Sequence, residues 1–212
     1  MRELGPEIVI ATRNAGKVKE FEPLFHSRGI ALRSLRDYAE LPEIVEDGET
    51  FAANALIKAR TIARHLGVPV LADDSGLCVD ELDGEPGVYS ARYAGEHATD
   101  EANNKKLLES LREKGRGSSL GSADPEAVAG LSPARFVAAL CLVDAAGEPI
   151  AEVEGVCRGY IIGEGRGANG FGYDPLFYVP VLGKTMAELT LEEKNGVSHR
   201  GQALMALWEA LK

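Results

Sequence analysis

Apolar residues recur along this chain in two rhythms. Glu7-Ile8-Val9-Ile10-Ala11 is a short, nearly continuous apolar run, the pattern of a buried strand. Over residues 17–27, Val18, Phe21, Leu24 and Phe25 return at helical spacing, so strand, loop and helix follow in order. Thr50 is placed to cap a helix over Phe51–Leu66, whose Phe51, Ala55, Ala59, Ile62 and Leu66 share one stripe. Gly67 ends that helix, and Val68-Pro69-Val70-Leu71 returns to the sheet. A further helix is predicted over residues 99–114, opened by Thr99, with Leu107, Leu108 and Leu111 facing in. Residues 115–133 break the pattern: Gly, Ser, Ala and Pro dominate without periodicity, which predicts a mobile surface insertion. Residues 135–144 and 150–162 read as two strands of a long antiparallel hairpin, joined by Ala145-Ala146-Gly147-Glu148-Pro149. A closing helix over residues 200–211 buries Ala203, Leu204, Leu207 and Leu211. The order of elements predicts an α/β fold with a mixed β-sheet, and 212 residues fit one domain over 1–212.

Composition narrows the function. A net charge of −10 argues against a nucleic-acid polymer as partner, because such ligands call for a basic face. Cys78, Cys141 and Cys157 show no paired or metal-ligand spacing and sit in or beside apolar segments, as reduced buried thiols do. The first residues run directly into a strand without a signal-peptide core, and no apolar run reaches membrane-spanning length. The expectation is a soluble cytoplasmic protein without a membrane partner.

The densest chemistry lies in Val70-Leu71-Ala72-Asp73-Asp74-Ser75-Gly76-Leu77. The apolar run predicts a buried strand that ends at the carboxylates, where open α/β sheets hold their ligands. Two carboxylates there suit Mg²⁺, which takes oxygen ligands and keeps some of its waters. The same pair also suits the cap of a turn or helix. Thr12-Arg13-Asn14-Ala15-Gly16-Lys17 joins strand to helix and offers backbone N–H groups and a lysine to a phosphate. It misses the P-loop pattern at Ala11 and Val18, and it also fits an ordinary capping loop. Gly165-Arg166-Gly167-Ala168-Asn169-Gly170 matches the dinucleotide fingerprint in letters only, since Phe171-Gly172-Tyr173-Asp174-Pro175 follows in place of a helix. Its glycines would let backbone approach a flat base, with Phe171 and Tyr173 as walls or as core. Lys194, His199 and Arg200 gather just before a helix, as a grip on a triphosphate or base or as a solvated helix start capped by Ser198. Glu46, Asp47 and Glu49 form an acidic run, and Lys58 lies among small residues of the helix after it.

Together these motifs resemble the inosine triphosphate pyrophosphatase (Ham1-like) family. The likeness rests on Thr12-Arg13-Asn14-Ala15-Gly16-Lys17, Phe51-Ala52-Ala53-Asn54-Ala55 with Lys58-Ala59, Ala72-Asp73-Asp74-Ser75-Gly76-Leu77, Gly87-Val88-Tyr89-Ser90-Ala91-Arg92-Tyr93, Gly170-Phe171-Gly172-Tyr173-Asp174-Pro175 and Ser198-His199-Arg200-Gly201. These span nearly the whole chain in the family's order. The resemblance implies a two-lobed α/β fold, a central mixed sheet flanked by helices with a long cleft between the lobes, and a homodimer. It implies Mg²⁺-dependent cleavage between the α and β phosphates of ITP, dITP or XTP, which clears deaminated purines from the nucleotide pool. By similarity Asp74 is the proton acceptor, and Glu46 and Asp74 are the metal carboxylates. Thr12, Arg13, Asn14, Ala15, Gly16 and Lys17 hold the triphosphate, and Ser75 contacts substrate. Phe171, Gly172, Tyr173, Asp174, Lys194, His199 and Arg200 enclose base and phosphates. Inosine and xanthine carry oxygen at C6, so donors such as His199 or Arg200 would favour them over adenine. Two other readings are a Maf-like pyrophosphatase acting on modified pyrimidine triphosphates and a nucleotide sensor without turnover. The residues alone leave open whether Asp73 or Asp74 takes the proton, and how ITP, dITP and XTP rank.

Overall fold

The computed structural model describes residues 5–115 and 130–212 of the chain. In chain order its elements are β1 (Glu7–Ile10), α1 (Ala15–His26), β2 (Ala31–Ser34), α2 (Phe51–Leu66), β3 (Val70–Val79) and α3 (Asp100–Gly115). Then come β4 (Gly130–Val143), β5 (Pro149–Ile162), β6 (Phe177–Val179), β7 (Lys184–Thr185), α4 (Leu191–Val197) and α5 (His199–Ala210). The seven strands make one mixed sheet in the order β2-β1-β3-β4-β5-β6-β7. β1 runs parallel to β2 and β3, and β6 runs antiparallel to β5 and β7. The sequence expectation of α/β with a mixed sheet is met.

The chain divides into two compact units. One comprises Met1–Ser75, Val137–Val156 and Asn195–Lys212, the other Gly76–Phe136 and Cys157–Lys194. In the first, the period-two alternation of the strands sorts the core onto two faces. Ile8, Ile10, Leu71, Leu140 and Leu142 pack with Phe21 and Phe25 of α1 and with Ala203, Leu204 and Leu207 of α5. Val9, Ala11, Val70, Ala72, Ala139 and Cys141 pack with Ala55, Ala59, Ile62 and Ala63 of α2. The core residues of α2 are mostly alanines, whereas α1 contributes Phe21 and Phe25. Helix ends follow the predicted chemistry: Thr50 Oγ1 accepts from Ala53 N–H, and Gly67 closes α2 at φ 67°. In the second unit Leu77, Val79, Leu107, Phe136, Ile161, Phe177 and Met186 are buried, and the rings of Phe136 and Phe177 lie 4.5 Å apart.

Three sequence expectations change. β3 does not stop at the carboxylates but continues to Val79, so Asp73, Asp74, Ser75 and Gly76 lie inside a strand. β1 pairs β3 only at Val70 and Leu71, so both aspartates lie just past the end of β1. Of the predicted insertion 115–133, Gly115 ends α3 and residues 130–133 open β4, where the hydroxyl of fully buried Ser132 accepts from Glu81 N–H; the rest lies outside the described residues. Finally, Lys194 lies within α4, a helix the sequence did not predict, and α5 begins at His199, one residue before the predicted start at Arg200.

Close packing places α5. A Cβ at Gly155 of β5 would fall 2.1 Å from the His199 carbonyl oxygen and 2.3 Å from Ala203 N, both backbone atoms that cannot swing aside. Gly155→Ala should therefore lower unfolding stability by about 1–3 kcal/mol, the usual cost of overpacking. Urea denaturation measures this, and an unchanged midpoint would show that α5 shifts without resistance.

Candidate active site

Adjacent residues of a strand point to opposite faces, and β3 applies this to its two aspartates. Asp73 continues the series of Leu71 and faces α1 and α5, whereas Asp74 continues that of Ala72 and faces α2. Each then meets the cations of its own face. Asp73 Oδ2 lies 2.8 Å from Lys17 Nζ of α1 and 3.2 Å from Arg200 Nε of α5. Asp74 Oδ1 lies 2.7 Å from Lys58 Nζ of α2. Strand geometry thus separates the two side chains.

On the Asp73 face, Arg200 is fixed from three sides. Its Nη1 donates to Glu20 Oε2 at 2.9 Å and its Nη2 to Ser75 Oγ at 2.6 Å, and the Ser75 hydroxyl donates to Asp73 Oδ2 at 3.1 Å. Burial pushes the Asp73 carboxyl upward, but Lys17 and Arg200 outweigh it and hold the group well below the usual carboxylate range. For Lys17 burial prevails over the pull of Asp73, with Arg200 and Lys58 adding to it, so its pKa is lowered. Lys17 stands in the first turn of α1, whose start is ordered by Asn14: the Asn14 N–H donates to Thr12 Oγ1, and Asn14 Oδ1 caps Lys17 N–H. Thr12 is buried, while Arg13, Asn14 and Ala15 are exposed at the positive end of the helix dipole.

On the Asp74 face, Lys58 bridges two carboxylates, Asp74 and Glu46, the second at 2.9 Å. The loop bearing Glu46 reaches it because Gly48 N–H donates to Asn54 Oδ1, and a Cβ on Gly48 would lie 2.7 Å from that oxygen. Asn54 and Lys58 are one helical turn apart on α2, one anchoring the loop and the other collecting its carboxylate. The geometry thus singles out Glu46 from the acidic run, with Asp47 and Glu49 exposed. Desolvation raises the Asp74 pKa despite Lys58, while Lys58, penalised by burial, is carried upward by Asp74 and Glu46. The neighbours therefore diverge: the Asp73 carboxyl is held below the usual carboxylate range and the Asp74 carboxyl above it.

Asp74 Oδ2 is buried without a protein hydrogen-bond partner. Among the described residues no three His, Cys, Asp or Glu side chains are placed to share a metal. Two carboxylates are nevertheless what Mg²⁺ requires when waters and phosphate oxygens complete its shell, and Asp74 with Glu46 fits that donor set. Around the two aspartates, Lys17, Lys58 and Arg200 face Glu20, Glu46, Asp73 and Asp74, one negative charge in excess. A triphosphate added to that balance calls for a further cation.

The second unit holds Phe171 to Asp174 and Lys194. Asp174 Oδ2 accepts from Phe171 N–H and pairs with Lys194, and the Lys194 ammonium lies 5.1 Å from the Phe171 ring centroid. Tyr173 is buried, its hydroxyl donating to the Ser90 carbonyl at 2.8 Å. His199 is buried in the first unit. Sequence reading passed over Glu20 and quoted Asn54 only within a motif, without a role. Each stands three or four positions from a key lysine on the same helix, Lys17 or Lys58, and that spacing was the available signal.

A family model described as the Ham1 family matches residues 8–210. The dITP/XTP pyrophosphatase of Geobacillus kaustophilus is 51% identical over 208 residues, which cover 97% of this chain and 95% of that protein. Among solved structures, a HAM1 protein from Coxiella burnetii superposes with a TM-score of 0.80 at 42% identity, covering 97% of this chain and 98% of that one. The Ham1 protein of Staphylococcus aureus gives 0.76 at 40% identity, covering 97% and 100%.

Two predictions follow from the buried ion pairs. Arg200→Met leaves Glu20 and Asp73 as uncompensated buried anions and should cost about 3–5 kcal/mol in urea unfolding; a loss under 1 kcal/mol would show that water replaces the guanidinium. Because the folded pKa of Asp73 is depressed, its stabilising contribution is complete above the unfolded value of about 4 and is lost as pH falls below it. The stability advantage of wild type over Asp73→Asn should shrink between about pH 5 and pH 2, and an advantage constant across that range would refute the shift.

Proposed function

The chain belongs to the Ham1 family, and from that membership and the chemistry of the site we propose that it hydrolyses deaminated purine nucleoside triphosphates (dITP, XTP and ITP) to the monophosphate and pyrophosphate. The observation that carries the reading is Asp74: a carboxylate of raised pKa whose Oδ2 has no protein partner, held by a lysine that also holds Glu46. The relatives' printed activity does not favour the alternative of modified pyrimidine triphosphates.

Water attacks phosphorus, the P–O bond between the α and β phosphates breaks, and pyrophosphate leaves. The proton of the attacking water passes to Asp74, whose pKa lies nearer to neutrality than that of a free carboxylate. Lys17 and the start of α1, with the Thr12 to Gly16 loop, bind phosphate oxygens. Lys58 keeps Asp74 and Glu46 together and fixes which oxygen of Asp74 faces the reaction. Glu46 and Asp74 would hold Mg²⁺, which when bound neutralises phosphate charge and polarises the phosphoryl group. Phe171, Gly172, Tyr173, Asp174, Lys194 and His199 are assigned to the substrate by the family resemblance. Arg200 and Ser75 enter that role already fixed by Glu20 and Asp73. The resemblance also brings a homodimer and a cytoplasmic location into this proposal. Among the described residues no helix is long and apolar enough to cross a membrane.

Pyrophosphate release with Mg²⁺ should favour dITP, XTP and ITP over dATP and dGTP by about a hundredfold or more in kcat/KM. Asp74→Asn should lower kcat by about 10²–10⁴ with its circular dichroism unchanged. Equal turnover of all purines would overturn the substrate assignment, and an active Asp74→Asn enzyme the assignment of the base.

A further inference from the structure

Gly172 in the Phe171 to Asp174 segment is held by both of its backbone polar groups. Its N–H donates to Asp100 Oδ2 at 2.7 Å, and its carbonyl accepts from Asn104 Nδ2 at 2.9 Å. Asp100 and Asn104 stand four residues apart at the start of α3, hence on one face of that helix, and α3 lies in the same compact unit as the loop. Asn104 contributes nothing else in return: its Oδ1 is buried without a hydrogen-bond partner. The amide orientation is therefore dictated by the loop, since a flipped amide would set its oxygen against the Gly172 carbonyl. Gly172 adopts φ 63°, a left-handed conformation that such a brace maintains. One residue further, the Tyr173 hydroxyl is tied to the Ser90 carbonyl, and the Ser90 hydroxyl accepts from Leu77 N–H and donates to the Gly87 carbonyl. On the Phe171 side the loop is closed by Asp174 and Lys194.

We propose that Asp100 and Asn104 are positioning residues for base recognition: they clamp the two peptides that flank Gly172 and so fix the directions in which Phe171 and Tyr173 present themselves to the purine. The inference deepens the proposed function and rests on it, because the loop's role toward the base belongs to that reading. It gives α3, which touches none of the reacting groups, a task in selectivity. The Gly172 N–H belongs to the peptide from Phe171 and the Gly172 carbonyl to the peptide into Tyr173, so the two hydrogen bonds fix the two peptide planes on either side of the Gly172 Cα. The two peptide planes between the aromatic residues set how Phe171 and Tyr173 are disposed, and on that disposition rests how well a deaminated purine is distinguished from guanine.

The test is steady-state kinetics of the whole enzyme with Mg²⁺, using dITP and dGTP, on wild type, Asp100→Ala, Asp100→Asn and Asn104→Leu. Loss of the clamp removes binding that is common to ground and transition states, so Asp100→Ala and Asn104→Leu should raise KM for dITP about five- to tenfold with kcat within about twofold. Their preference for dITP over dGTP should fall about as much. Asp100→Asn keeps an oxygen acceptor for Gly172 N–H and should stay within about twofold of wild type in both constants. A merely structural role would lower stability in a urea titration without this split. Unchanged KM and selectivity in the alanine and leucine variants would overturn the clamp, as would a fall in kcat alone or failure of Asp100→Asn to rescue. Absence of pyrophosphate release by wild type from any nucleotide would overturn the clamp together with the function it serves, and only that outcome reaches both.

Discussion

Two ionised carboxylates in the middle of a buried strand would be untenable without opposite charges on both faces of the sheet. β3 meets this condition by alternation: Asp73 finds Lys17 and Arg200 beneath one face, and Asp74 finds Lys58 on the other. Much of the first unit follows from this requirement. α1 must start close to the end of β1 for Lys17 to reach the strand. α2 must be lined with alanine to bring Lys58 near, and α5 must lie against a glycine of β5 for Arg200 to enter the interior. The helices and the charges they carry are thus one arrangement.

The strand and helix rhythms were legible because they depend on local spacing. α2 was read to its exact ends since Thr50 and Gly67 announce them. The end of β3 was misread because a pair of aspartates looks like a terminator when its counter-charges are out of view. Lys17 is 56 residues away in sequence from Asp73 and Arg200 is 127 away. Residues 130–133 were likewise taken for loop on account of Gly130 and Pro133, although the burial of Ser132 holds them in β4.

The site itself was legible in part. The family resemblance named Asp74 and Glu46, but only the structure shows why Glu46 stands apart from Asp47 and Glu49: the Gly48–Asn54 contact sets the loop, and Lys58 collects the one carboxylate it can reach. Glu20 and Asn104 stayed hidden because a single Glu or Asn on an amphipathic helix has no local signature. Its meaning lies in a partner contributed by a distant segment, Arg200 in one case and Gly172 in the other.

The separation of Asp73 from Asp74 by the thickness of a polypeptide backbone has a consequence for how such a protein can change. Two chemically identical, consecutive residues carry unlike duties: one is a permanent counter-ion within the fold, and the other, in the proposed reaction, gains and loses a proton at each turnover. Their ion-pair partners differ, Lys17 and Arg200 on one face and Lys58 on the other, although the charges of each face are still felt across the strand. A deletion or insertion of one residue early in β3 would turn each aspartate to the opposite face and leave one of the two positions to Ala72 or Ser75, without a carboxylate, so the length of the segment is tightly constrained.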